Sequence, residues 1–375
     1  MTLFFDAWGS WTRGIATAGL CLTCMQSTIA AQAVSSVGGQ PDAALPNSSN
    51  EVGSLPNEAL DDMKDDSKFW NLPMPTLGGK QFWTDHRWWN GWRIQYNSTL
   101  DHWRLLDPNS IRKAWGGKQA MMAELDRIIA SNPNAANPTE VVLLLHGLMR
   151  SSSSMLPIEK ELSRVDDELE ERNLNDTRRR NCIAFSYAST RDSISSHSAA
   201  LRELVENIAG EPRISVVGHS MGNIVFRHAI GEWQRNGDPK KVLSRMNRVV
   251  MLGPPNRGSS FAAKLSRLGL FETITGNAGM ELGPSWETLR NGLGTPACPF
   301  AIVAGDISKG RLQNPLLSGP SDGVVTVEEA SLDGMTEIAA VPVVHSFLTS
   351  DSSVVRATVS FLSGTGLNAA LDAKR

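Results

Sequence analysis

The sequence predicts an α/β protein built on a doubly wound, mostly parallel sheet with flanking helices, and three observations carry that reading. From residue 141 onward, short runs of continuous apolar residues alternate with helical stretches, the pattern of strands covered on both faces. The composition suits such a core: 375 residues, 41% hydrophobic and 20% charged. A Gly-His-Ser-Met-Gly turn stands where one of these strands passes into a helix. The charge balance excludes other classes. Lys+Arg 36 against Asp+Glu 39 leaves a net charge of -3, with no bulk field for nucleic acid. Four cysteines are too few for a disulfide-stapled mini-fold.

Taken in order, residues 1–33 are expected to be an export signal. Arg13 precedes the apolar run GIATAGLCLTCM, and Ala31-Gln32-Ala33 offers a small-x-small cleavage site. The run is shorter than the about 20 apolar residues of a membrane span. Residues 34–66, rich in Ser, Pro, Asn and Ala, cannot bury enough apolar surface to offset ordering entropy and read as a disordered linker. The segment 67–120 is Trp-rich: Trp70, Trp83, Trp88, Trp89, Trp92, Trp103 and Trp115 are seven of the eleven tryptophans. Trp92, Ile94 and Tyr96 alternate with Arg93 and Gln95, and a polar turn then leads to Trp103 and Leu105. That alternation predicts an antiparallel hairpin with one face buried on the main domain. Exposed indole faces would instead stack on sugar rings; the one-sided spacing favours packing.

Residues 121–375 form the main domain. Its strands are VVLLL at 141–145, CIAFSYA at 182–188, and then RISVVGHS, RVVMLGPP, PFAIVAGD and IAAVPVV. Helices are expected at 157–171, at 196–209, from Met221 onward and at 352–362. The connection 257–293 exceeds the usual two to six residues and is a candidate lid. Past the signal only Cys182 and Cys298 remain. They fall several strands apart and are expected as two buried thiols rather than a disulfide.

The turn Gly218-His219-Ser220-Met221-Gly222 is the strongest chemical signal. A sharp strand-to-helix turn holds Ser220 in a strained backbone conformation at a helix N-terminus, where N–H groups and the dipole favour an oxyanion. Side chains at Gly218 and Gly222 would collide with the neighbouring elements. No His pair has metal-ligand spacing beside a Glu, no Cys/His set has zinc spacing, and no Gly-rich nucleotide loop occurs. The sequence therefore calls for no metal and no cofactor. The Ser run at 151–154 reads as a solvated loop.

Together LLLHGL, GHSMGN, LGPPNRGS, PSDGVV and VVHS, spread over residues 90–362, make the chain resemble the α/β-hydrolase superfamily. Within it the chain is similar to the bacterial lipase and esterase branch and to the glycosylphosphatidylinositol-deacylase-like group. The resemblance implies a triad in the order Ser, acid, His. Of the seven His, only His345 follows the last strand, where the family places its general base. For the acid, Asp322 in the Ser-Asp-Gly-Val-Val loop is similar to the lipase-branch residue. Asp306, at the end of PFAIVAGD, matches the more general placement, and Asp333 is the outsider. The resemblance assigns the oxyanion donors to the N–H groups of Leu148 and Met221, with His146 holding its loop and His219 packing under the elbow. The expected function is an exported, periplasmic or secreted, serine hydrolase of carboxylic esters. A glycan- or lipid-binding protein on the same scaffold, or an amidase or thioesterase, is the alternative. Leu268, Leu270 and Phe271 in the insertion lean towards acyl or lipid esters and a transient contact with a lipid surface. No partner protein or oligomeric state is legible.

Overall fold

The computed structural model describes residues 74–75, 82–171, 180–266, 278–308 and 314–372. The expected signal (1–33) and linker (34–66) lie outside the described residues, as do Trp70, Leu268, Leu270 and Phe271. The N-terminal part is a five-stranded antiparallel sheet, larger than the hairpin the alternation predicts. Its strands are β1 (Met74–Pro75), β2 (Thr84–Trp89), β3 (Trp92–Asn97), β4 (His102–Leu106) and β5 (Ile111–Gly116), in the order β1-β5-β4-β3-β2. Helix α1 (Lys118–Ala130) follows, running across the boundary expected at residue 120. Its Met121 and Leu125 pack on Trp89, Ile94 and Leu105 from one face of the sheet.

The other face is buried as well, against the main domain, and this is where the one-faced hairpin reading differs from the structure. Arg93 and Gln95 read as solvent-facing, yet Gln95 is buried in a cross-strand row with Asp85 and Arg104. A polar side chain can turn inward when partners on the next strands satisfy it. Successive residues of a strand point to opposite faces. Hence Trp88 joins the main core and Trp89 the small core under α1. Trp88, Trp89, Trp92 and Trp103 therefore serve packing, the last two against the same small core, and Arg104 lies 3.9 Å over the Trp83 ring.

The main sheet has six parallel strands: β6 (Glu140–Leu145), β7 (Asn181–Phe185), β8 (Arg213–His219), β9 (Met246–Leu252), β10 (Phe300–Gly305) and β11 (Glu337–Val341). Both faces are covered, which is why each strand reads as a continuous apolar run. Along β6, Val141, Leu143 and Leu145 enter one core layer while Val142 and Leu144 enter the other. The first layer includes α3 (Ile194–Glu206) and the elbow helix α4 (Met221–Asn236); the second includes α2 (Leu156–Glu171) and a C-terminal helix, Ser352–Leu362. Cys182 on β7 and Cys298 before β10 are free thiols, half-buried rather than buried as expected.

The strand order β11-β10-β9-β8-β6-β7 reverses direction at the β6–β8 pair. At such a switch point the loops leaving neighbouring strands diverge to opposite faces and open a crevice at the carboxyl ends. The loop after β6 begins at His146 and the turn after β8 at Ser220. The topology thus sets these two segments side by side.

Candidate active site

Ser220 has φ 52° and ψ −124°, a conformation that an L-residue holds only when its surroundings force it. The forcing is visible on both sides. The Ser220 N–H donates to the Leu252 carbonyl at 2.9 Å, and the Ser220 carbonyl accepts from the Asn223 N–H at 3.1 Å. A Cβ on Gly218 would lie 2.2 Å from Asn223 Oδ1, and one on Gly222 would lie 2.6 Å from the Leu145 carbonyl oxygen. A side chain at either place would force a neighbour to move, the Asn223 side chain at Gly218 and the backbone at the end of β6 at Gly222.

The loop after β6 approaches Ser220 closely: a Cβ on Gly147 would lie 3.1 Å from Ser220 Cβ. Arg150 N–H donates to the Gly147 carbonyl at 3.2 Å, and Met149 has φ 59°. Positive φ at the third residue alone is the mark of a type II turn, a position that normally takes glycine. Among the described residues, neither the Leu148 nor the Met221 N–H has an intramolecular acceptor. Met221 opens α4, where first-turn N–H groups are left unpaired by helix geometry. Both expected oxyanion donors therefore stand on segments that flank Ser220.

His345 begins a 3₁₀ turn after β11. Its Nδ1 donates to Asp322 Oδ2 at 2.6 Å, and its backbone N–H donates to the Asp322 carbonyl at 3.0 Å. Asp322 Oδ1 accepts from the N–H groups of Val324 (2.9 Å) and Val325 (2.7 Å). Both side chains are nearly closed to solvent, at 8% and 1% exposure. The carboxylate that meets His345 is thus Asp322. Asp306 instead accepts from the Ser308 N–H at 2.9 Å, and Asp333 is fully exposed beside Arg257.

The remaining histidines near the elbow are buried. His219 Nε2 donates to the His345 carbonyl at 3.1 Å, so the residue next to Ser220 is tied to the residue carrying the imidazole. Burial holds the His219 pKa well below that of a free histidine. His146 donates from Nδ1 to the Gly147 carbonyl at 2.9 Å and stacks on Tyr187 with ring centres 4.0 Å apart; burial lowers its pKa to about 4. Neutral imidazoles of this kind brace loops rather than carry protons.

The sequence reading missed several residues. A Cβ on Gly253 would lie 3.0 Å from His345 Nδ1 and 3.1 Å from Asp322 Oδ2, so this glycine makes room for the pair. Ser152, expected in a solvated loop, is buried and accepts from Ser186 Oγ at 2.9 Å. A cavity of about 300 Å³ lies beside the Asp322 loop between Ile307, Asn314, Leu317, Pro320 and Ser321; neither Ser220 nor His345 lines it.

Residues 135–254 match the family model described as "Putative serine esterase (DUF676)". No curated protein matches the chain. Among solved structures, phospholipase PlaB from Legionella pneumophila is similar at 21% identity and TM-score 0.38, over 52% of this chain and 46% of that one. The chain thus spans less than half the length of that phospholipase. Lipase BlEst2 from Bacillus licheniformis is similar at 19% identity and TM-score 0.43, over 61% of this chain and 91% of that one. A protein from Listeria innocua is similar at 17% identity and TM-score 0.42, over 61% and 95%. With a nucleophile-type elbow at the end of β8 in a six-stranded parallel sheet, the chain has an α/β-hydrolase-type fold, and its residues 135–254 are similar to the family described as putative serine esterase.

Proposed function

We propose that the protein hydrolyses carboxylic esters through an acyl-enzyme formed on Ser220, with His345 as general base and Asp322 as its partner. The observation that carries this is the joint geometry of the strained Ser220 at the head of α4 and the 2.6 Å His345–Asp322 pair, linked to the elbow through His219. Ser220 Oγ attacks the ester carbonyl carbon while His345 Nε2 accepts its proton. Asp322 keeps the Nδ1–H tautomer in place and stabilises the imidazolium. The carbonyl electron pair moves onto oxygen, which the Leu148 and Met221 N–H groups receive; one such donor is worth about 10²–10³ in rate. Collapse of the intermediate releases the alcohol with the proton from His345. Water, deprotonated by His345, then frees the acid.

The substrate class proposed is an acyl or lipid ester. Met149, Val344 and Phe347, at 37%, 37% and 61% exposure, put apolar surface next to the oxyanion turn and the base. Export directed by residues 1–33 belongs to the same proposal, as does a transient lipid-surface contact. Labelling of residues 34–375 with a fluorophosphonate, mapped by mass spectrometry, tests the chemistry. The adduct should sit on Ser220 and disappear in Ser220→Ala and His345→Ala. No adduct on Ser220, with detergent present, would end the ester-hydrolase reading; labelling followed by an ester, thioester and amide panel sets the substrate.

A further inference from the structure

We infer that Ser189 is a positioning residue for the oxyanion turn, and that the N-terminal sheet holds Ser189 in place. The inference rests on the oxyanion role proposed above for Leu148. Met149 takes its left-handed φ of 59° without the benefit of glycine, so something outside the turn must select that conformation. The selecting contact is the Met149 N–H, which donates to Ser189 Oγ at 3.2 Å. In a type II turn the peptide between the second and third residues is flipped relative to type I. Ser189 accepts from the N–H of that peptide, and its Oγ is well placed only while the flip is kept. Leu148 is the second residue of the turn; its own N–H belongs to the preceding peptide, so Ser189 acts on it by fixing where the loop 147–150 sits, through the neighbouring Met149 N–H. Oxyanion donors act at 2.7–3.1 Å, and small displacements cost rate steeply.

Ser189 is itself held from the N-terminal sheet. Asp85 and Ser186 exchange two bonds: the Asp85 N–H donates to the Ser186 carbonyl at 2.9 Å, and the Ser186 N–H donates to Asp85 Oδ2 at 2.7 Å. The Ala188 N–H donates to Thr84 Oγ1 at 3.2 Å. Behind Asp85, Gln95 Nε2 donates to Asp85 Oδ1 at 2.7 Å, and Arg104 donates from Nε and Nη2 to Gln95 Oε1 at 2.9 and 2.7 Å. On the far side of the turn, Ser186 Oγ donates to Ser152 Oγ at 2.9 Å. Thr84, Asp85, Gln95, Arg104, Ser152, Ser186 and Ser189 are each less than 9% exposed. The turn carrying Leu148 is thus gripped at 149 and 152 by one segment, 186–189, which β2 clamps in turn. The bonds from β2 thus hold the segment whose Ser189 accepts from the N–H of Met149, a residue of positive φ in the loop that approaches Ser220 at Gly147.

The test uses the full chain with Ser189→Ala, Ser189→Thr and Thr84→Val, a p-nitrophenyl ester, and an arylboronic acid that forms a tetrahedral adduct on serine. Active sites are counted by fluorophosphonate titration, so lost folding is separated from lost positioning. Ser189→Ala should lower kcat per titrated site about 10- to 100-fold with KM within about twofold, and raise the boronate Ki by a similar factor. Ser189→Thr, which keeps the hydroxyl, should recover most of both. Thr84→Val should move both in the same direction by less, and carries the test where Ser189→Ala accumulates too little folded protein. Unchanged kcat per site and unchanged Ki in Ser189→Ala and Thr84→Val would overturn the inference alone. A wild type that is never labelled on Ser220 would overturn it together with the reading it rests on.

Discussion

A Cβ on Gly222 would meet the carbonyl oxygens of Leu145 and His146 at 2.6 and 2.7 Å. Backbone oxygens cannot turn aside as a side chain can, so Gly222→Ala must push α4 away from the end of β6. We expect a loss of about 3 kcal/mol, read from the urea midpoint. Gly218→Ala meets the Asn223 side chain instead, which can rotate, and should cost less; equal effects would contradict this account. The buried histidines give a second residue-scale prediction. Burial lowers the His146 pKa to about 4 and the His197 pKa to about 3, against about 6.5 in the unfolded chain. Between these values the unfolded state binds the extra proton, so stability is full above pH 6.5 and falls as pH drops towards 4 and 3. Each group accounts for roughly 2 kcal/mol at pH 5. Urea midpoints at pH 7, 6 and 5 should fall steeply, and His197→Leu should flatten the trend; parallel trends would rule the His197 contribution out. At this scale the elbow was readable because glycine and serine types are dictated by one local turn. Gly253 was not, because the atoms that need its missing side chain, on Asp322 and His345, come from other loops.

At the scale of elements, the six parallel strands were readable in order because burial on both faces leaves little choice of residue along them. The antiparallel sheet was only partly readable. Gln95 and Arg104 carry polar side chains into a buried face, and no sequence pattern separates a satisfied inward row from a solvated one. The loop carrying Asp322 shows how such a hidden polar contact supports the candidate site. The short helix Val327–Ala330 follows Asp322 and opens with a capping box, the Thr326 and Glu329 side chains each accepting the other's backbone N–H. Glu329 also accepts from the Ser260 N–H at 2.7 Å, tying the start of the 257–293 insertion to the Asp322 loop. Glu329→Ala removes both contacts. It should cost about 1–2 kcal/mol by urea unfolding, and Glu329→Gln, which keeps an acceptor, should cost less. If the two variants are equally stable to wild type, the loop is held by its other bonds alone.

For the molecule as a whole, residues 63–375 form one compact unit, although the two sheets have separate apolar cores. The link between them is mixed: Trp88 reaches from β2 into the main core, and the Asp85 row bonds β2 to the segment after β7. Burial raises the pKa of Asp85, so this bond carries a desolvation cost that only its full set of partners offsets. Coupling of this kind predicts cooperative unfolding. Trp83, Trp88, Trp89, Trp92, Trp103 and Trp115, six of the eleven tryptophans, lie in or next to the N-terminal sheet, whereas the ester hydrolysis proposed above would report on the main domain. The two signals should therefore be lost at one urea midpoint in the wild type. Asp85→Ala leaves the Ser186 N–H and Gln95 without their acceptor, at about 1–3 kcal/mol for each stranded buried group. It should split the transition, with the sheet melting first and activity falling with it, because the segment 186–189 loses its clamp. Hydrolysis that persists after the sheet has melted would mean that the main domain keeps the proposed oxyanion turn unaided.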